Sequence, residues 1–459
     1  MGKGSLIRQW TASLAASLCV SMAGAMFVWL APLMVRLTQP DSPIPMTTED
    51  TSWLSAIIEI SEGLATIPAG LLADRCGRKL VMLACGPIIL SSWILALTTK
   101  SISALYAVRI IQGIAMAIPY AVTPMYIAEI AEPCLRGQLG SYFQVFFYIG
   151  VLYSYATGPY FEYQIYLYLE CLPVILFIIV YSFMPESPYY LLMKEKEEEA
   201  YKALSWLRAD EDVLQEFNDI KENVAEDMRN RGTWKALIAT KKDRMALFIV
   251  EIVCLVRYTN GISTISLYIT QTLTQGGAWV LNSDQMAIVL TTILIIVTTG
   301  ASFAADTVGR RPLLLISTIG ATLFHSVVAV YYYLHERTNV DVSAYMWISF
   351  IALLGFCVVA NIGLGPLMSI MQAEYFPSHT RAKGAGITGV VTGVSCFVSI
   401  KTYQVVDDYF GIYMNYVIFA LISLTGAIFF WAVVHETAGK SLGQVQKTLL
   451  STSSESKFS

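Results

Sequence analysis

Asp74-Arg75-Cys76-Gly77-Arg78-Lys79 follows one long apolar run, and Asp306-Thr307-Val308-Gly309-Arg310-Arg311 follows another about 230 residues later. Two more pairs keep the same order and a similar offset. Glu129 precedes Arg136 by seven residues, and Glu374 precedes Arg381 by seven. Pro185-Glu186-Ser187 closes an apolar run, and His435-Glu436-Thr437 closes another. Matched punctuation in the loops, repeated in order, is the mark of an internal duplication, which apolar composition hides within the runs themselves.

The runs between these motifs decide the solvent. Of the 459 residues 55% are apolar and 14% charged, and the mean hydropathy is +0.57, which places the chain among membrane proteins. A helix needs about 20 apolar residues to cross about 30 Å of hydrocarbon. Runs of that kind lie near 11–36, 53–73, 80–99, 103–128, 137–157, 163–184, 245–270, 284–304, 312–334, 345–371, 382–403 and 412–434. The first is too long for a signal-peptide core and is read as a retained span. The expected fold class is therefore an all-α membrane protein of twelve transmembrane helices.

Basic residues orient it. About 24 of the 30 Lys and Arg fall on one side of this layout, against Arg36, Lys100, Arg337 and Lys401 on the other, so both termini are expected in the cytoplasm. The segment 185–243 is the one long polar stretch inside the chain, rich in Glu, Lys, Asp and Arg. The expected domains are a six-helix half at 1–184, a cytoplasmic linker with short helices at 185–243, a second half at 244–434 and a tail at 435–459. Duplicated halves of this kind imply a pseudo-twofold axis along the membrane normal, a midplane site between the halves and alternating access. The repeated charges, Asp74, Arg75, Arg78, Glu129, Arg136 and Glu186 with Asp306, Arg310, Glu374, Arg381 and Glu436, are expected to form a cytoplasmic gate of salt bridges biasing a two-state equilibrium. The alternative to a gate is that they are topological charges that anchor turns and orient the chain.

Taken together, Gly70-x3-Asp74-Arg75-x-Gly77-Arg78-Lys79, Pro185-Glu186-Ser187-Pro188, Asp306-x2-Gly309-Arg310-Arg311 and Glu436-Thr437-x-Gly439-Lys440-Ser441-Leu442 resemble the sugar porters of the major facilitator superfamily. The short first loop, Gly363-x-Gly365-Pro366-Leu367 and Ile400-Lys401-Thr402-Tyr403 are similar to the facilitated trehalose transporters of insects. The resemblance implies the major facilitator fold and facilitated passage of a hexose or disaccharide at the plasma membrane. It also implies positions for sugar contacts, and there this chain departs. Aligned on Gly261, the paired Gln of span seven is Arg257 and Tyr258, and the following Asn is Ser263. The Gln of span five is Tyr155, the Asn of span eight Leu294, the Trp of span ten Ser369, and the Asn-Trp of span eleven Thr392-Gly393. The substrate-binding candidates are accordingly Tyr155, Arg257, Tyr258, Ser263, Ser266, Tyr268, Ser369 and Thr392, mostly hydroxyls that suit a polyol. Small and hydroxylic residues also serve plain helix packing in membranes.

An ionisable group in hydrocarbon costs about 2.5–3.5 kcal/mol on insertion scales, so each one within a span requires a partner. Glu59, Glu62, Arg109, Glu170, Glu251 and Arg257 are of this kind. Arg109 is expected to pair with Glu62. Glu251 stands six residues before Arg257, about 240° around the helix, so Arg257 needs another span's carboxylate, an anionic ligand or water. An organic-anion substrate is the sharp alternative, because guanidinium suits carboxylate or phosphate. A transport-dead sugar sensor is the other. Related symporters carry an acid in span one and this chain has none between Ser13 and Val35, which favours facilitated diffusion, although Glu59 or Glu170 would serve a coupled proton.

No phosphate-cradling loop and no metal-spaced Cys/His cluster occurs, so neither an enzyme nor an ATP-driven pump is expected, and no cofactor or metal is called for. The net charge of −4 comes without a basic stripe, so nucleic acid is not a partner. The expected partners are a small-molecule substrate and the lipid bilayer, with the chain a monomer.

Overall fold

In hydrocarbon every main-chain N–H and C=O must find its partner within the protein, and a helix does so locally. The computed structural model describes residues 3–39, 42, 44–209, 212–229, 232–276, 281–376 and 378–437, with the side chains of 3, 301–307, 366, 369, 373, 378 and 379 outside the description. The first part runs α1 (Lys3–Val28), α2 (Met34–Leu37), α3 (Thr48–Cys76), α4 (Arg78–Thr98), α5 (Ile102–Ile130), α6 (Pro133–Thr157) and α7 (Tyr163–Ser182). Three helices of the polar segment follow, α8 (Pro188–Met193), α9 (Glu197–Leu207) and α10 (Leu214–Arg229). Then come α11 (Lys241–Thr259), α12 (Ile262–Gln275), α13 (Ser283–Val308), α14 (Arg310–Arg337), α15 (Met346–Ile362), α16 (Leu364–Tyr375), α17 (Ser378–Phe410) and α18 (Ile412–Val433).

Among the described residues eleven helices are long and apolar enough to cross a membrane. The twelfth expected span is α6, a helix of 25 residues whose first half, Pro133 to Gln144, carries Arg136, Gln138 and Gln144 and lowers its hydropathy. Among the described residues three spans are interrupted: α1 ends at Val28 ahead of α2, α11 and α12 meet at Asn260 and Gly261, and α15 and α16 meet at Gly363.

The chain divides into two compact units, residues 1–27 with 61–232 and residues 28–60 with 233–459. In the first, α4 packs on α5 and α7. In the second, α14 packs on α15 and α18, and α11 on α16 and α17. The apolar core of the second unit gathers Ile249, Val253, Leu314, Leu364, Leu367 and Phe430. The helices of the polar segment build a small core of their own from Tyr190, Leu204, Phe217 and Val224, because α9 and α10 each carry one apolar face.

Close helix crossings use glycine. A Cβ on Gly150 of α6 would lie 1.8 Å from the Ser21 carbonyl oxygen of α1, and one on Gly24 would lie 2.0 Å from that of Phe147. Packing without a hydrophobic drive between helices relies on such approaches. Gly150→Leu is expected to destabilise the first unit by about 1–3 kcal/mol, read as a lower melting temperature in detergent. Gly137→Ala, at a position with nothing within 4 Å, should leave the melt unchanged.

Candidate functional site

The repeated motifs meet at helix ends. Glu186 accepts hydrogen bonds from the main-chain N–H groups of Arg78 (3.1 Å), Lys79 (3.1 Å) and Ser187 (2.8 Å). It thereby caps the N-terminus of α4, where unpaired N–H groups and the helix dipole favour an anion. The Arg78 guanidinium reaches Glu129 of α5 at 2.8 Å and Asp74 at 3.1 Å and donates to the Ala73 carbonyl at 3.0 Å. Ser187 Oγ donates to Glu129 at 2.5 Å. The second unit repeats the arrangement. Glu436 accepts from the N–H groups of Arg310 (3.0 Å), Arg311 (3.1 Å) and Thr437 (3.0 Å). Arg310 Nη2 lies 3.0 Å from Glu374, and Thr437 Oγ1 donates to Glu374 at 2.6 Å. The glycine before each arginine has positive φ, +107° at Gly77 and +96° at Gly309, and a Cβ there would strike the capping carboxylate at 2.4 and 2.8 Å.

Each cluster lies inside its own unit. Arg78, Glu129, Glu186 and Asp74 come together as one, and Arg310, Glu374 and Glu436 as the other. Arg75 is exposed, and its carbonyl accepts from the Tyr190 hydroxyl at 3.1 Å. Arg136 is exposed and joins no ion pair among the described residues. Arg381 donates to the Phe376 carbonyl at 3.4 Å, and the Asp306 side chain lies outside the described residues. Ser187 and Thr437 were missed as ligands, although the matched Glu-Ser and Glu-Thr pairs signal them.

A further ionic cluster was not anticipated. Buried Arg208, at the end of α9, lies 2.6 Å from Glu216 and 3.5 Å from Glu132 and donates to the Ile130 carbonyl at 3.1 Å. Glu132 also accepts from Gln9 at 2.7 Å and Ser5 at 3.1 Å, so the polar segment is tied to α1 and to the end of α5. Nearby, Tyr189 donates to Asp227 at 2.6 Å; burial, reinforced by that bond, holds its phenol above its ordinary value.

Within the spans, two buried arginines serve broken main chain. Arg109 donates to the Met26 carbonyl at 2.6 Å, the Phe27 carbonyl at 3.4 Å and Gln112 at 3.2 Å, capping the last turn of α1. Glu62 accepts from the Thr66 hydroxyl at 3.1 Å. Arg257 Nη1 donates to the Leu364 carbonyl at 2.8 Å and to that of Gly365, beside the break at Gly363, and its guanidinium lies 5.1 Å from the Tyr258 ring. The partners recorded for Arg257 are thus carbonyl dipoles, which supply partial negative charge where a span is interrupted. Glu251 turns the other way, accepting from Thr388 of α17 at 2.7 Å.

The remaining substrate candidates scatter. Tyr155 is buried in the first unit next to Ser154, which donates to Glu170 at 2.8 Å. In the second unit Ser263 meets Cys396 at 3.6 Å, Ser266 donates to the Ile262 carbonyl at 2.9 Å, and Thr392 lies 3.2 Å from Cys254. Tyr268 stacks on Tyr403 with centroids 4.6 Å apart. The Ser369 side chain lies outside the described residues. Sequence reasoning missed His325, Asn260 and the contact of Lys401 Nζ with the Trp53 ring at 4.4 Å.

Comparison with known proteins gives this arrangement its lineage. The family model described as "Sugar (and other) transporter" matches residues 9–449. The chain belongs to this family. It is similar to facilitated glucose transporter member 6 of solute carrier family 2 from Mus musculus, 28% identical over 454 residues, covering 96% of this chain and 90% of the relative. It is 26% identical to the facilitated trehalose transporter Tret1 of Bombyx mori, covering 89% and 81%. Among solved structures, the proton:xylose symporter XylE bound to 6-bromo-6-deoxy-D-glucose superposes with a TM-score of 0.78 at 19% identity, covering 97% of this chain and 100% of that one. The inward-open XylE of E. coli also gives 0.78 at 19%, covering 96% and 99%. At such identity the likeness establishes the fold, and this family member has the twelve-helix major facilitator architecture.

The transporter's helix-end clusters are testable as units. A double-mutant cycle of Arg310→Ala and Glu374→Ala, read by thermal melting, is expected to give a coupling energy of about 1–3 kcal/mol. The same cycle on Arg136 and Glu129 should give a value near zero.

Proposed function

We propose that this transporter carries a sugar, a hexose or a disaccharide such as trehalose, by facilitated alternating access without ATP and without a coupled proton. The family match along nearly the whole chain, with relatives named for glucose and trehalose, carries the reading. Hydroxyls and rings at Tyr258, Ser263, Ser266, Tyr268 and Thr392 supply groups that suit a polyol's O–H and C–H faces. Facilitated movement is supported at α1, which carries no acidic side chain and whose terminal carbonyls accept from Arg109. In this reading both termini lie in the cytoplasm of a plasma-membrane monomer, and the Arg78 and Arg310 clusters lie on the cytoplasmic side as the gate. Engagement of Arg257 by the carbonyls of Leu364 and Gly365 weighs against a dedicated anion site.

Counterflow uptake in proteoliposomes, with labelled glucose, trehalose, other hexoses and small organic anions, tests this directly. Saturable sugar uptake is expected, and Arg257→Gln should raise the sugar KM by about tenfold, the equivalent of about 1.4 kcal/mol for a lost charged hydrogen bond. Anion uptake abolished by Arg257→Gln would replace sugar with an organic anion as the substrate. Sugar binding without flux would make the protein a sensor.

A further inference from the structure

The broken span of the second unit places the substrate candidates in two groups. Arg257 and Tyr258 end α11, and Ser263, Ser266 and Tyr268 begin α12, so the bend at Asn260 and Gly261 sets the spacing between them. Gly261 takes φ +97°, and a Cβ there would meet the Phe419 ring at 2.7 Å. Asn260 Oδ1 accepts from the Ile262 N–H at 3.2 Å. The Asn260 carbonyl is met by a side chain from α14, His325, whose Nε2 lies 2.9 Å away. A carbonyl only accepts, so Nε2 carries the proton; Nδ1 is buried with no partner among the described residues. The imidazole is held on three sides, with its centroid 4.0 Å from that of Phe356, 5.6 Å from Phe419 and 5.8 Å from Tyr416. A ring so enclosed keeps one orientation, and its N–H points at the main chain of the bend.

We propose that His325 is a positioning residue for transport: its Nε2–H fixes the bend between α11 and α12 and so holds the two groups of substrate candidates at one spacing. The inference rests on the reading of the chain as a sugar transporter and adds the element that sets its affinity. His325 acts through the Asn260 carbonyl, while Phe419 packs both the ring and Gly261.

The test compares His325→Phe, which keeps a ring and loses the donor, with His325→Gln, whose amide N–H stands close to the place of Nε2. In reconstituted full-length protein, His325→Phe is expected to raise the sugar KM about fivefold, the loss of one hydrogen bond, with Vmax changed less than about twofold. His325→Gln should return KM to within about twofold of wild type. Hydrogen exchange of the amides of residues 259–265 should quicken in His325→Phe and recover in His325→Gln. Should His325→Phe not be recovered folded, His325→Asn, whose amide stands near Nδ1, takes its place in the same comparison. Wild-type KM and exchange in the donorless variant would overturn the proposal, as would failure of His325→Gln to restore both while melting like wild type. If the wild type moves no sugar, the sugar reading fails by itself, and the exchange comparison still decides the part assigned to His325.

Discussion

A main-chain carbonyl that loses its helical partner inside a membrane has no water to turn to, and leaving it unmet costs several kcal/mol. This chain interrupts its spans at three described places, and at each a buried donor from a different helix meets the exposed main chain. Arg109 of α5 takes Met26 and Phe27 where α1 ends, Arg257 of α11 takes Leu364 and Gly365 beside Gly363, and His325 of α14 takes Asn260. A transporter needs such interruptions, because irregular backbone is what lets a span line a polar cavity. The donors are what make the interruptions tolerable.

The helix-end clusters solve the opposite problem. At Gly77 and Gly309 the chain turns from one helix into the next and exposes fresh N–H groups, which Glu186 and Glu436 cap from distant segments. The adjoining arginine then gathers a second carboxylate and, through it, a hydroxyl. Removing one member leaves a largely buried charge unpaired, which costs far more than the intact pair contributes. The two copies agree residue for residue, Gly77 with Gly309, Arg78 with Arg310, Glu129 with Glu374, Glu186 with Glu436 and Ser187 with Thr437, so the duplication preserved a complete hydrogen-bonded unit and not merely a pattern of charge.

Charge within the polar segment follows the same logic at lower cost. Arg208 joins α9 to the end of α5 and, through Glu132, to Ser5 and Gln9 of α1. Its direct partners, Glu216, Glu132 and Ile130, are 8 to 78 residues away in sequence, and no local spacing rule links them.

The sequence by itself determined the spans, the duplication and the family, because apolar length, loop motifs and their offset are properties of a linear string. It located the members of the helix-end clusters, since the motifs that carry them recur in order. It did not pair them: Arg78 and not Arg136 holds Glu129, because the turn at Gly77 aims the first guanidinium at α5 while Arg136 opens a different helix on an exposed face. It flagged Arg109 and Arg257 as charges in need of partners, Glu62 for the first and a carboxylate, an anionic ligand or water for the second, but gave no sign of the carbonyls. Their recorded main-chain partners depend on where another helix breaks. His325 gave no signal at all, because a lone histidine in an apolar run acquires meaning only when tertiary packing brings its Nε2 to the carbonyl of Asn260. Residue type and spacing fix what a group can donate or accept, whereas the fold alone decides which group it meets.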